Sequence, residues 1–256
     1  MNNPERMPFI GNTRIMDKSA KANEEGLIGN QYNEHGYYLA KNLFKIDSFS
    51  NIEKLISVVI SEHYPCNDIH SPDTAIFLKT NPQTVTKIYE KLQNNARLID
   101  LGRSKPITDI VRLFIKDPSL YLKSVLRIDI PFEYKELAYW HQDDFYVKGN
   151  DEELTVWIPL QNTSIPQGCL SVMPGSHRLG RLEHSYVTGK KRVPMGIYDR
   201  EVRLVEMSQN DALFFSSLLV HSSNLNFSEE IRYSIQLRYT SRGKSPSTIM
   251  KGNIDV

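Results

Sequence analysis

Cysteine is scarce: Cys66 and Cys169 are the only two in 256 residues, too few for a disulfide framework. Neither has a Cys or His neighbour at zinc-ligand spacing. Both are expected to be small core residues in a reducing, cytoplasmic setting. Net charge is also lacking, at a formal +1, so no global field recruits nucleic acid or an anionic membrane. No apolar run approaches the roughly 20 residues that span a bilayer. The polar first thirty residues hold no stretch suited to a secretion signal, and the closing GNIDV is not a Ser-Lys-Leu peroxisomal address. There is no internal repeat, no low-complexity segment, no dinucleotide fingerprint and no phosphate loop. These absences leave a chain expected to act as a monomer or small homo-oligomer, with neither nucleic acid nor membrane as its partner.

What is present suffices for a core, with 40% hydrophobic residues. One domain over 1–256 is expected, with a loose segment at 1–30 and a catalytic core at about 123–241. The first half reads as helical. A short helix ends at Gly36 and an apolar strand follows. "DSFSNIEKLISVVISEHY" places Ile52, Leu55, Ile56, Val59 and Ile60 at helical spacing behind Ser48 or Ser50 as N-cap. "PQTVTKIYEKLQNNARLIDLG" reads as one amphipathic helix and "PITDIVRLFIKDPSLYLKS" as another. After Lys123 the period changes. "SVLRIDIP", "LTVWIPLQN", "CLSVMPG", "VRLVEMS", "DALFFSS" and "RYSIQLRYT" are short runs rich in Val, Ile, Leu, Phe and Tyr. Many short strands after a helical segment suggest an α+β fold, mainly β, whose sandwich or barrel carries the N-terminal helices on one face. Asn210 sits where a tight turn favours a left-handed residue.

"LAYWHQDDFYV" carries the chemistry. On a strand, positions i and i+2 share a side, so His141 and Asp143 can offer an imidazole nitrogen and a carboxylate oxygen to one cation. His221, at the end of the apolar run "DALFFSSLLVH", would complete a face of three. Two histidines and a carboxylate with open positions suit a non-haem Fe(II) that must also bind oxygen and an organic substrate. An ordinary polar patch between strands is the plainer alternative. Arg232 follows His221 by eleven positions on an alternating strand and shares a face with Ser234. A buried arginine fork suits a carboxylate. The partner could equally be a structural acid, with Glu229, Glu230 and Asp211 as candidates.

Taken together, residues 126–239 resemble the phytanoyl-CoA dioxygenase family of Fe(II)- and 2-oxoglutarate-dependent oxygenases. The resemblance rests on His141-Gln142-Asp143, Trp157, "GCLSVMPGSHR", "NDALFF", then His221, Ser223, Asn226, Ser228 and Arg232 in matched order. It implies a double-stranded β-helix (jelly roll) in which His141, Asp143 and His221 are the catalytic metal ligands. It further implies 2-oxoglutarate as co-substrate, its far carboxylate on Arg232 with help from Ser234 or Ser223. Trp157 would flank the co-substrate and Leu126 would floor the pocket. Such a site couples O2 and 2-oxoglutarate, releasing succinate and CO2, to oxidation of an unactivated C–H in a small molecule, hydroxylation being the default outcome. Asn210 replaces the usual Gly before Asp211, and the retained Asp143 argues against halogenation.

Arg127, Tyr139, Phe145 and Tyr146 are the candidate substrate contacts. The segment from Ser176 to Arg203 is long enough for a lid, and its Lys190, Lys191 and Arg192 suit either an anionic substrate or a solvated tip. His177 is expected to be structural. Asp144 should point away from the metal, while His35, His63, His70 and His184 lack ligand spacing. A non-catalytic metal-binding jelly roll, or a hydrolase or isomerase using the same triad, remains an alternative.

Overall fold

In the computed structural model of the chain, the described residues are 18–45, 47–93, 95–134, 138–187, 190–194, 196, 199–250 and 252–256. Helix α1 (Lys18–His35) is followed by strand β1 (Tyr37–Ala40) and helices α2 (Ser50–Ser61), α3 (Pro72–Thr80), α4 (Pro82–Leu92), α5 (Ala96–Arg103) and α6 (Lys105–Phe114). Then come strands β2 (Pro118–Tyr121) and β3 (Val125–Asp129), a short helix α7 (Asp143–Val147), and strands β4 (Leu154–Pro159) and β5 (Leu170–Val172). The remainder holds a 3-10 turn (Ser176–Leu179), the hairpin β6 (Ser185–Val187) and β7 (Lys190–Arg192), then β8 (Arg203–Val205), β9 (Ala212–Ser216), β10 (His221–Ser222), β11 (Arg232–Ser241) and β12 (Asn253–Asp255).

Cap chemistry explains where the helices differ from expectation. Asn95 is extended and its side chain accepts from the Arg97 amide (3.0 Å), so it starts a new helix and splits the 82–102 segment into α4 and α5. Ser71 caps α3, which has Pro72 in its first turn; that helix was not foreseen. In α2 the N-cap position belongs to Phe49, and neither Ser48 nor Ser50 fills it. Helix α6 stops at Phe114 because Ile115 is extended and Asp117 has φ +50, after which Pro118 opens β2. Residues 18–30 belong to α1 rather than to a loose segment, and 1–17 lie outside the described residues. Asn210 keeps a negative φ; the turn is closed by Asp211, whose Oδ2 accepts the Ser208 amide (2.7 Å).

The larger sheet runs β1-β9-β4-β11-β2-β12, with β3 also paired to β11, and the smaller runs β10-β5-β8. Every pairing is antiparallel. Alternation gives the larger sheet two distinct faces. Ile128, Ile158, Phe214, Tyr233, Ile235 and Leu237 face the helices and pack with Ile56, Ile60, Leu78, Ile88 and Val111. Helix α2 contributes an apolar stripe at positions three or four apart, Ile52, Ile56, Val59 and Ile60, and α4 adds Ile88 and Leu92. Trp157, Leu213 and Phe215 point the other way and pack against Leu170, Val172 and Val205 of the smaller sheet. The site lies along this second, inter-sheet layer.

Candidate metal centre

His141 and His221 face each other across an antiparallel bridge. The His141 amide donates to the His221 carbonyl (2.9 Å), and the reverse bond measures 3.0 Å. Residues paired this way project side chains to one side, and the two imidazole centroids lie 4.3 Å apart. Gln142 is extended (φ −108, ψ 137), so Asp143 returns to that side although it opens α7 rather than continuing a strand. The Asp143 Oδ1 is 3.6 Å from His141 Nε2 and 3.9 Å from His221 Nε2. All three residues are buried, and one potential ligand atom from each lies within 4.8 Å of the others.

Their hydrogen bonds leave the right atoms available. His141 Nδ1 bonds the Tyr139 carbonyl (2.6 Å) and His221 Nδ1 the Leu219 carbonyl (3.0 Å). A carbonyl can only accept, so both Nδ1 atoms carry the proton and both Nε2 atoms face the cluster. Burial, with His141 beside it, pushes His221 down to about 4 despite the opposing Asp143, which keeps that imidazole neutral at ordinary pH. Burial alone would raise the Asp143 carboxyl, but Arg238 and the two histidines hold it well below the usual carboxylate range. Two imidazole nitrogens and one ionised carboxylate oxygen fit a divalent iron.

The far oxygen of Asp143 is held from beneath. Thr155 Oγ1 donates to Oδ2 (2.6 Å), and Arg238 Nη2 lies 3.4 Å from both oxygens. Neither residue was singled out in the sequence. Arg238 was within reach of the alternation on β11, since it continues the series Arg232, Ser234, Gln236.

Arg232 is 1% exposed and does pair with an acid, but with Asp129 rather than Glu229, Glu230 or Asp211. Its Nη2 is 2.8 Å from Asp129 Oδ2 and its Nε 3.3 Å. Arg127 Nη2 reaches the other oxygen at 3.1 Å. Burial would raise Asp129, yet the two arginines hold it below its ordinary value. This arrangement leaves Arg232 Nη1 and Ser234 Oγ buried with no partner. Two such donors on one strand face are costly without an acceptor, and they fit a ligand carboxylate. Trp157 lies on the same sheet face, with the Arg232 Cζ 6.0 Å from its ring centroid.

The other candidates divide. Leu126 is 2% exposed in the helix-side core, opposite Ile235, and cannot floor the pocket, because it points away from the face that carries Arg127. Ser223 follows β10 in the smaller sheet, its amide bonded to the Ala138 carbonyl (3.0 Å), whereas Arg232 belongs to the larger one. Tyr146 meets the His141 ring edge-on at 5.3 Å, Tyr139 supplies the carbonyl that orients His141, and Phe145 lies against His184 at 4.5 Å. Asp144 turns outward to Arg181 (2.8 Å). His177 reaches the Asn33 carbonyl (3.2 Å) and lies against Gly36, where an added Cβ would fall 2.4 Å from its ring.

Gln142 does more than separate His141 from Asp143. Its side chain donates to the carbonyls of Gly180 (2.8 Å) and Leu218 (2.7 Å) and accepts from the Leu182 amide (2.8 Å). Its own amide donates to His184 Nε2 (3.1 Å). The root of the long segment is thereby fastened to the metal motif. The Lys190 and Lys191 side chains lie outside the described residues.

Comparison with known proteins agrees with this geometry. The profile of the phytanoyl-CoA dioxygenase (PhyH) family matches residues 32–234. A probable alpha-ketoglutarate-dependent hypophosphite dioxygenase of Stutzerimonas stutzeri is 30% identical over 159 residues, covering 59% of this chain and 54% of the relative. The peroxisomal phytanoyl-CoA dioxygenase of Rattus norvegicus is 26% identical over 249 residues, covering 88% of this chain and 73% of the relative. Among solved structures, the epimerase SnoN in complex with Fe3+, alpha ketoglutarate and nogalamycin RO superposes with a TM-score of 0.62 at 15% identity, covering 89% of this chain and 88% of SnoN. That likeness concerns the fold, the double-stranded β-helix expected from the sequence. No described helix is long and apolar enough to cross a membrane. The chain belongs to the phytanoyl-CoA dioxygenase family of Fe(II)- and 2-oxoglutarate-dependent oxygenases.

Proposed function

We propose that this chain, as a single domain, oxidises a C–H bond of a small organic molecule at the expense of 2-oxoglutarate, with hydroxylation as the outcome. The observation that carries the reading is the reciprocal bridge between His141 and His221, which gathers both Nε2 atoms and the Asp143 Oδ1 at one point. His141, Asp143 and His221 would hold Fe(II). Arg232 Nη1 and Ser234 Oγ would receive the far carboxylate of 2-oxoglutarate, beside Trp157. Bound iron supplies oxidising power: 2-oxoglutarate, O2 and the substrate R–H go to succinate, CO2 and R–OH.

The protein's own part is placement. Thr155 and Arg238 fix the Asp143 carboxylate, and the Tyr139 and Leu219 carbonyls fix the two imidazole planes. The apolar layer of Phe215, Leu213 and Val172 keeps water from the inner side of the cluster.

The mouth suits a substrate with an apolar face. Among the described residues, the exposed Phe, Tyr and Trp side chains are Phe132, Tyr134, Tyr139, Tyr146 and Phe227. They lie on the segments that lead into His141, follow Asp143 or follow His221. Phe132 holds a φ of +57, an unusual conformation for a bulky residue, with its ring edge-on to Phe227 at 6.2 Å. A role in secondary metabolism and a cytoplasmic location accord with this reading.

Succinate measured after adding Fe(II), ascorbate, 2-oxoglutarate and a substrate panel tests the proposal. Oxygen-dependent succinate that rises with one class of compound supports it. Metal binding without succinate under every condition favours a non-catalytic jelly roll, and turnover of a substrate without oxygen favours a hydrolase or isomerase.

A further inference from the structure

We propose that Arg238 is a positioning residue of the metal site: it fixes Asp143 and sets a positive charge beside it that favours the ferrous state. This rests on the reading of His141, Asp143 and His221 as iron ligands.

The inner face of β11 carries Arg232, Ser234, Gln236 and Arg238 in alternation. The first two face the orphaned corner assigned above to 2-oxoglutarate. Arg238 stands at the other end of the strand, directly across from Thr155 of β4. Thr155 Oγ1 and Arg238 Nη2 therefore rise side by side beneath one carboxylate, at 2.6 Å and 3.4 Å from Asp143 Oδ2. Gln236 Oε1 accepts from the same Nη2 (3.0 Å) and so braces the guanidinium. The Arg238 side chain is only 12% exposed, and its Nε is buried without a partner. A group held this way is not an ordinary exposed surface ion pair.

Two effects follow from different parts of the pair. The Thr155 hydroxyl carries no formal charge and acts chiefly on orientation, keeping Oδ2 engaged and Oδ1 turned to the imidazoles. Arg238 also contributes charge. A metal dication beside Asp143 and Arg238 sums to +2, and a trication would raise that to +3 in a largely dry pocket. The repulsion grows with each added charge, so the guanidinium disfavours loss of an electron from the bound iron. It draws an anionic co-substrate for the same reason.

The contrast between Arg238→Gln, Arg238→Lys and Thr155→Val separates charge from geometry. Each variant is loaded anaerobically with Fe(II), checked for folding by circular dichroism, and poised in mediator buffers without 2-oxoglutarate. The ferrous-to-ferric ratio is read at fixed potential, and Fe(II) affinity is read separately. For Arg238→Gln the ratio should fall on the order of tenfold or more, after allowance for solvent screening. Arg238→Lys should keep most of the ratio. Thr155→Val should shift the ratio far less than Arg238→Gln while weakening Fe(II) binding on the order of tenfold, the usual loss when a partner that orients a metal ligand is removed. Equal ratios for wild type and Arg238→Gln overturn the proposal, as does Arg238→Lys behaving like Arg238→Gln. A wild-type protein that binds no Fe(II) removes the reading of the site as well. One that binds iron normally but shows no charge dependence removes the role of Arg238 alone.

Discussion

Replacing Arg232 by alanine tests the co-substrate corner, and the structure sets the size of the effect. Arg232 is 1% exposed, with one edge on Asp129 and its Nη1 unpartnered. A carboxylate bound to that Nη1 gains a charge-assisted hydrogen bond and the attraction of a desolvated cation, together about 3 kcal/mol, or roughly 100-fold in affinity. Ser234→Ala removes only a hydroxyl donor, worth about 1 kcal/mol or roughly fivefold. Asp129 would still hold Arg127 (3.1 Å) in the Arg232 variant, so the corner does not leave a bare buried carboxylate. The assay is anaerobic calorimetric titration of 2-oxoglutarate into protein loaded with Mn(II), an oxygen-inert stand-in for Fe(II). The expected order is wild type, then Ser234→Ala, then Arg232→Ala, with Mn(II) affinity nearly constant across the three. An Arg232→Ala protein that binds 2-oxoglutarate as wild type does, or that loses Mn(II) as steeply as 2-oxoglutarate, would mean that Arg232 does not receive the co-substrate carboxylate.

Two further outcomes follow. Gln142→Ala leaves the Gly180 and Leu218 carbonyls and the Leu182 amide without their partner; urea unfolding of the metal-free protein should show a loss of about 2–4 kcal/mol, and a change under about 0.5 kcal/mol would mean that the clip is idle. Glu153 is pushed up to about 7, chiefly by burial and then by Asp144, from an ordinary 4.5. Because its folded value is the higher one, its stabilising contribution is complete below pH 4.5 and disappears as the pH rises through about 7. Measured from pH 5 to pH 8, the stability of wild type should therefore fall relative to Glu153→Gln, and a parallel pair of curves would contradict the assignment.

The triad was legible because its geometry is local. One extended residue, Gln142, separates His141 from Asp143, and the apolar run of β9 leads directly to His221. The alternation of β11 likewise placed Arg232 and Ser234 on one face without any tertiary information. Leu126 failed for the same physical reason that these succeeded. Neighbours on a strand face opposite ways, so Arg127 lies toward the site and Leu126 toward the helices. The pairing of Asp129 with Arg232 depends on β3 and β11 being neighbours across 103 residues of chain, and nothing local encodes that register. The clip made by the Gln142 side chain is not legible in the sequence, because its partners are backbone groups 38, 40 and 76 residues away. The break at Asn95 was the opposite case: its cap chemistry was on view, and the amphipathic period on either side hid it.

If His141, Asp143 and His221 hold one iron, anaerobic Fe(II) titration with bound metal counted per chain will show it. Wild type should take up a single equivalent, and Asp143→Ala, which removes the charged ligand while leaving the His141–His221 bridge in place, should lose it. Full Fe(II) uptake by Asp143→Ala, at wild-type affinity, would mean that the iron sits elsewhere.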